Sequence, residues 1–133
     1  AYRNDIEKVL IRFLGEERTK RAMNIFNVKY NVDKNQELAD ARLIKFSENL
    51  ITQYQLEKVG ISEHIFENNS FTIAICLKES HICVHTWPEF NQLTLAVYLC
   101  NYLQDNTQKV KDITQEYISY FDAKILKEFE INR

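Results

Sequence analysis

Glycine, proline and tryptophan are scarce in this 133-residue sequence, which has two Gly, one Pro and one Trp. Two glycines cannot build the Gly-rich loops that cradle phosphates, which argues against an enzyme that binds nucleotide phosphates. The net charge is -2, so the sequence offers no basic surface for nucleic acid. No apolar run approaches the roughly 20 residues that span a bilayer, and we expect no signal peptide. We expect a single domain over residues 1–133, without a membrane or nucleic-acid partner.

Three cysteines lie in segments whose apolar pattern predicts strands: Cys76, Cys83 and Cys100. An odd number of cysteines cannot pair completely within one chain, and thiols in such segments are typical of a reducing compartment. Apolar residues make up 45% and charged residues 27%, as in an ordinary globular chain. We therefore expect a cytoplasmic protein with reduced thiols.

The apolar residues near the amino terminus favour a helix. Over residues 5–14 they recur at helical spacing, with Ile6, Val9, Leu10, Phe13 and Leu14 on one face. We therefore expect residues 1–22 to form a helical N-terminal extension of the domain.

The rest of the chain predicts an α+β fold. Strict alternation indicates a strand at residues 26–32, and a long helix follows from Asp33. A second helix is expected from Asp105, and further strands near residues 60–66, 71–77, 81–85, 92–100 and 123–131. Runs of antiparallel strands with two helices predict a two-layer sandwich, a largely antiparallel sheet with helices on one face.

The densest group of reactive side chains is the segment KESHICVHTWPE, residues 78–89. Alternation along a strand places His81, Cys83 and His85 on one face. Pro88 ends this strand because proline has no N–H for the ladder. The three side chains on one face suggest zinc, but the sequence has neither CxxC nor HExxH spacing, so we expect no metal.

This segment resembles the bacterial and archaeal S-adenosylmethionine decarboxylases, which make their own pyruvoyl cofactor. The family pattern is Glu-Ser-His, a short run, His-Thr-Trp-Pro-Glu, and a Cys twenty residues after the Ser. Here the matching residues, without a gap, are Glu79-Ser80-His81, His85-Thr86-Trp87-Pro88-Glu89 and Cys100. The resemblance extends in element order from about residue 24 to the end, and it implies the same α+β architecture.

The resemblance implies self-cleavage between Glu79 and Ser80. The Ser80 hydroxyl attacks the Glu79 carbonyl, the amide becomes an ester, and elimination followed by hydrolysis leaves a pyruvoyl group at residue 80. Such a ketone forms a Schiff base with the substrate amine and accepts electrons when carbon dioxide leaves. His85 is the expected base for processing, since imidazole takes up protons near neutral pH. Thr72 is expected to support processing, and His81 could position the chain for the acyl shift.

The same resemblance implies a substrate site shared by two chains. Cys100 matches the acid that reprotonates the substrate's α-carbon, a task that suits a thiol. Glu89 matches the carboxylate that binds the ribose hydroxyls of S-adenosylmethionine. Trp87 could pack near the adenine or fill core. In the family, the His-Thr-Trp-Pro-Glu segment of one protomer faces the pyruvoyl group of the other, which implies a homodimer.

Departures from the family pattern leave alternatives open. Thr72-Ile73 stands where the family has Ser-Gly, Ala96 where it has an acidic residue, and Asn101 where it has Gly. The first hypothesis is an S-adenosylmethionine decarboxylase that serves spermidine synthesis. The second is a pyruvoyl-dependent decarboxylase of ornithine or arginine, and the third is a ligand-binding homologue that never cleaves. Glu89 favours the first hypothesis over the second, because a free amino acid has no ribose.

Overall fold

A six-stranded antiparallel sheet lies against two helices in the computed structural model, which describes residues 6–13 (backbone), 39–90, 92–102 and 104–132. The elements in chain order are β1 (Ile6–Phe13), α1 (Ala39–Gln53), β2 (Lys58–Ile65), β3 (Phe71–Leu77), β4 (Ser80–Trp87), a 3₁₀ helix (Pro88–Phe90), β5 (Gln92–Leu99), α2 (Thr107–Phe121) and β6 (Lys124–Asn132). The strand order is β2-β3-β4-β5-β1-β6. The predicted α+β fold with a largely antiparallel sheet is confirmed.

Both helices cover the same face of the sheet. Every second residue of the central strands β3, β4 and β5 is buried, except Ser80 at the start of β4, as the alternating patterns predict. These residues form one core cluster with buried residues of the helices, among them Leu43, Leu50, Val110, Ile113 and Tyr117. The opposite side of the sheet, here called the outer face, carries the less buried residues of the same strands.

Tyr117 ties the two helices together. Its hydroxyl donates a hydrogen bond of 2.5 Å to Ser47 Oγ on α1, and both side chains are buried. The Phe46 ring packs edge-on against the Tyr117 ring, with centroids 5.3 Å apart. Burial raises the pKa of Tyr117 to about 12, so its hydroxyl remains protonated and able to donate near neutral pH. The sheet therefore rests on a fixed pair of helices.

Residues 6–13 form a strand, so the helix predicted for residues 5–14 is wrong. β1 lies between β5 and β6 and pairs antiparallel with both along its whole length. The remainder of the predicted helical extension, residues 1–22, lies outside the described residues.

The pattern of this segment fits both kinds of structure. Val9, Ile11 and Phe13 alternate along a strand, although neighbouring apolar residues also recur at helical spacing. A short apolar run does not decide between helix and strand. In the fold, two neighbouring strands satisfy the backbone N–H and C=O groups of β1, and this long-range pairing outweighs a weak local preference.

The other predicted elements are confirmed wherever the structure describes them. Both helices form, and the five strands predicted after residue 58 appear with ends shifted by a few residues. The strand predicted at residues 26–32 and the start of the first helix near Asp33 lie outside the described residues. Neither described helix is long and apolar enough to cross a membrane.

Candidate active site

The bond between Glu79 and Ser80 lies at the tip of the β3–β4 hairpin. Leu77 pairs with Ser80, so only Lys78 and Glu79 connect the two strands, and both are exposed. The Glu79 N–H donates to the Leu77 carbonyl at 2.9 Å, and the Lys78 N–H donates to the Glu57 carbonyl at 3.1 Å. Six residue pairs join β3 to β4 behind this turn. A cut at this bond would therefore leave the two pieces held together by the sheet.

Ser80 and Cys100 meet although twenty residues separate them. Ser80 opens β4, Cys100 directly follows β5, and these strands are neighbours. The Cys100 N–H donates to Ser80 Oγ at 3.0 Å. Together with Glu79, both residues line a cavity of about 410 Å³. The structure thus brings the predicted cleavage serine next to the predicted proton donor.

His85 and Thr72 form a second group near the other end of β4. They lie directly opposite each other on β4 and β3, and Thr72 Oγ1 is 2.9 Å from His85 Nδ1. The Trp87 ring lies 5.9 Å from the His85 ring. His85 is exposed on the outer face, which His81 and Cys83 share as predicted. Thr72 therefore holds the imidazole by one nitrogen.

Glu89 belongs to this second group. It is exposed in the 3₁₀ helix that follows β4 at Pro88. Asn68 Nδ2 donates to Glu89 Oε2 at 3.0 Å, while Asn68 Oδ1 accepts from the N–H and the hydroxyl of Ser70 at 3.2 and 2.6 Å. The turn between β2 and β3 therefore fixes the carboxylate. A cavity of about 320 Å³ is lined by Glu89 with Phe66, Asn68, Thr72, His85 and Trp87, among others.

Sequence reasoning missed Phe66 and Asn68. Phe66 is 47% exposed and lines the same cavity as Glu89. Asn68 lies in a predicted turn, where asparagine is common for backbone reasons alone. Its contact with Glu89 joins residues 21 positions apart. Only the fold brings them together, so the sequence held no local signal for either role.

The two groups are far apart within one chain. Ser80 and His85 are five residues apart on β4, or about 17 Å at a rise of roughly 3.4 Å per residue. Alternation along the strand also turns their side chains to opposite faces. Neither of the two cavities contains both Ser80 and Glu89. His85 therefore cannot act on Ser80 of its own chain in this conformation.

Among the described residues we find no metal site, and near the Ser80 cavity one carboxyl group has a shifted pKa. In the part of the chain that the structure describes, no three His, Cys, Asp or Glu side chains are placed to hold a metal ion. Cys76, Cys83 and Cys100 are present as thiols. Asp105 lies between Gln104 and Asn106, which line the cavity that contains Ser80. Hydrogen bonds from the hydroxyl and N–H of Thr107 lower the pKa of Asp105, which keeps that carboxylate charged at the start of α2.

Comparisons with known proteins point to one family. The family model described as S-adenosylmethionine decarboxylase matches residues 24–133, which include both groups of site residues and exclude β1. The S-adenosylmethionine decarboxylase proenzyme of Archaeoglobus fulgidus is 26% identical over 86 residues, 65% of this chain and 73% of that relative. The proenzyme of the same name from Thermoplasma volcanium is 28% identical over 90 residues, 68% of this chain and 65% of that relative.

A solved structure supports the fold. The crystal structure of the adenosylmethionine decarboxylase from Aquifex aeolicus is similar with a TM-score of 0.64 and 18% sequence identity, covering 99% of this chain and 91% of that chain. At this identity the likeness speaks for the fold alone. The family match spans more than half of the sequence. The chain therefore belongs to the S-adenosylmethionine decarboxylase family.

Proposed function

We propose that this chain is a self-processing, pyruvoyl-dependent S-adenosylmethionine decarboxylase whose product serves as the aminopropyl donor in spermidine synthesis. The hydrogen bond between the Cys100 N–H and Ser80 Oγ carries the proposal, because it joins the cleavage serine to the proton donor in one cavity. A pyruvoyl group at residue 80 supplies the electron sink for decarboxylation. The three thiols support a reducing compartment, the cytoplasm.

Self-cleavage begins at the exposed hairpin tip. Ser80 Oγ bonds to the Glu79 carbonyl carbon, the C–N bond between the two residues breaks, and the freed amine takes up the proton that the hydroxyl loses. Removal of the α-proton of residue 80 then expels the Glu79 carboxylate. Addition of water to the remaining dehydroalanine releases ammonia and leaves the ketone. The exposure of Lys78 and Glu79 supports this route, because water reaches the bond.

Cys100 acts after cleavage. Cys100 lines the same cavity as residue 80. A thiol can give up a proton and regain it near neutral pH. Cys100 therefore returns a proton to the substrate's α-carbon once carbon dioxide has left. Its backbone N–H serves the earlier step, so this one residue contributes to both reactions.

The distance between the two groups supports a homodimer. A twofold axis across the middle of β4 sets the β4 strands of two chains antiparallel, which places the exposed hairpin tip at Glu79–Ser80 of one protomer beside the strand end that carries the partner's His85 and Glu89. The outer face suits such close packing. Ala74, Cys83 and Ala96 form a row of small residues across β3, β4 and β5. In this arrangement the partner's His85, held by its own Thr72, is the base for processing.

The cavity lined by Glu89, Phe66 and Trp87 suits a nucleoside better than a free amino acid. Glu89 can accept hydrogen bonds from two vicinal ribose hydroxyls. The exposed Phe66 ring and the Trp87 ring offer aromatic surface on which a purine base can stack, a contact worth about 1–3 kcal/mol per base. Neither ornithine nor arginine carries a ribose or a purine ring. These three side chains therefore support S-adenosylmethionine as the substrate.

Intact mass under denaturing conditions tests the proposal. We expect the wild-type protein to separate into residues 1–79 and 80–133, the second with a pyruvoyl end, and Ser80→Ala to remain whole. Ser62→Ala, which removes an exposed serine on β2, is the matched control and should cleave normally. A wild-type chain that stays whole after incubation with putrescine would falsify self-processing. Cleaved protein that releases carbon dioxide from ornithine or arginine, and not from S-adenosylmethionine, would instead overturn the substrate.

A further inference from the structure

Two buried asparagines hold the loop between β5 and α2. Asn101 is 1% exposed and Asn106 is 9% exposed. Asn106 Nδ2 donates to the Cys100 carbonyl at 2.8 Å, and the Asn106 N–H donates to Asn101 Oδ1 at 2.6 Å. Gln104 Nε2 donates to Asn106 Oδ1 at 2.9 Å. The side chain of Asn106 therefore acts as donor and acceptor at once, which an amide can do and a carboxylate cannot.

This network fixes the backbone of Cys100. Asn106 binds the Cys100 carbonyl, and the Cys100 N–H donates to Ser80 Oγ. With both of its backbone groups bonded, Cys100 holds the peptide groups on either side in one orientation. Asn101 stands where the family pattern has glycine, so its side chain adds a support that glycine cannot offer. The N–H of Cys100 is thus directed at Ser80 by residues outside the recognised motif.

We propose that Asn106, itself held by Asn101, is a positioning residue for self-cleavage that acts through Cys100 on Ser80. The inference rests on the proposed function. When the Ser80 hydroxyl gives up its proton, negative charge appears on Oγ, and this charge passes to the Glu79 carbonyl oxygen as the new C–O bond forms. A backbone N–H stabilises such charge only when it is already directed at the oxygen. Asn106 provides this direction before the reaction starts.

Asn106→Asp tests the proposal, because the variant replaces the Nδ2 donor by an oxygen that cannot bind the Cys100 carbonyl, while Oδ1 still accepts from Gln104. Asn106 occupies the position before the first turn of α2, where a negative charge suits the helix dipole. Asp105→Asn is the matched control, the reverse exchange one residue earlier. Asp105 Oδ1 accepts from the N–H and the hydroxyl of Thr107, and asparagine keeps that acceptor.

We expect Asn106→Asp to slow the appearance of the two fragments roughly tenfold or more, since a misdirected donor no longer stabilises the charge on Ser80 Oγ at the start of the attack. Asp105→Asn should cleave at the wild-type rate. Hydroxylamine locates the defect, because it attacks the carbonyl carbon of the ester, leaves a hydroxamate on Glu79 and frees an intact amino-terminal Ser80. Asn106→Asp should give less of this hydroxamate than the wild type, as measured by intact mass.

The outcomes separate this inference from the proposed function. A wild type that cleaves, with Asn106→Asp cleaving at the same rate, overturns the positioning role alone, whereas a wild type that never cleaves overturns both. Equal slowing in Asp105→Asn, or a full yield of hydroxamate from Asn106→Asp, also overturns the role, since the defect then lies outside the acyl shift. If thermal unfolding shows that Asn106→Asp does not fold, Asn101→Ala decides by the same assays, because it removes the acceptor of the Asn106 N–H.

Discussion

The two ends of β4 are built in different ways. At the start of the strand, Ser80 is fixed by a backbone N–H, and that backbone is fixed by the buried amides of Asn101 and Asn106. Beyond the middle of the strand, His85 and Glu89 are exposed and are held by single side-chain contacts from neighbouring elements. We call the first the closed end, because buried side chains support its backbone although the hairpin tip itself is exposed, and the second the open end, because its side chains are exposed.

This difference shows how the chemistry is divided. An acyl shift within the backbone needs fixed geometry, because a small misplacement of the reacting atoms costs much of the rate. Substrate recognition can use exposed side chains, provided that a second surface covers them when the substrate binds. The closed end therefore suits cleavage, whereas the open end is complete only against a partner. Three predictions test this division.

The largest expected effect is on His85, which should act on the other chain. His85→Ala should abolish cleavage, because loss of a general base costs roughly 10²–10⁴ in rate and no cofactor then forms. When His85→Ala and Ser80→Ala chains are expressed together, the His85→Ala chains should be cleaved again, since a mixed dimer has one site with both residues intact. Intact mass of differently tagged chains measures this rescue.

His64→Ala is the matched control for the rescue experiment. His64 is an exposed histidine on the edge strand β2 that lines neither cavity, and its ring packs against Phe66, so its loss should leave cleavage unchanged. If co-expression restores no cleavage, or if His85→Ala cleaves normally alone, then His85 at the open end of one chain does not act on Ser80 at the closed end of its partner.

Cys100 should separate cleavage from decarboxylation. Cys100→Ser keeps the backbone N–H that binds Ser80, so fragments should form at close to the wild-type rate. Carbon dioxide release should fall by roughly 10²–10⁴, because a hydroxyl is a far weaker proton donor than a thiol at neutral pH. Cys76→Ser, at an exposed thiol on β3, should lose neither reaction. Full decarboxylation by Cys100→Ser would mean that another group supplies the proton.

Much of the fold could be predicted from the sequence, because in most elements the apolar residues recur at the spacing of a strand or of a helix. The central strands β3, β4 and β5 alternate between buried and more exposed residues over most of their length, and α2 buries residues at helical spacing. The segment 6–13 could not be predicted, because its short apolar run fits both periods. Its structure depends on pairing with β5 and β6, whose residues are about a hundred positions away.

The candidate site could also be predicted only in part. The local motif named Glu79, Ser80, His85 and Glu89 together, since they lie within eleven consecutive residues. The side chains that position them are Asn68, Asn101 and Asn106, and they act from other elements. An asparagine in a turn is common, so its sequence gives no sign of what its amide binds. Such supporting contacts required the folded chain.

The smallest predicted effect concerns Asn68 at the open end. Asn68→Asp keeps the oxygen that accepts from Ser70, so the turn should hold, but it sets a second carboxylate against Glu89. Repulsion should displace Glu89 and raise the KM for S-adenosylmethionine about tenfold, equivalent to roughly 1.4 kcal/mol of binding. Cleavage and kcat should stay at wild-type values, because Asn68 contacts neither Ser80 nor Cys100.

Steady-state kinetics with Glu67→Gln as the control check this last prediction, since Glu67 is an exposed carboxylate in the same turn. A rise in KM confined to Asn68→Asp would show that the turn orients Glu89 for the substrate. A matching fall in kcat, or slower cleavage, would show that a disturbance at the open end reaches the closed one. The two ends would then form one cooperative unit, because a change of a single exposed amide would have been transmitted to Ser80, either along β4 or across the dimer contact.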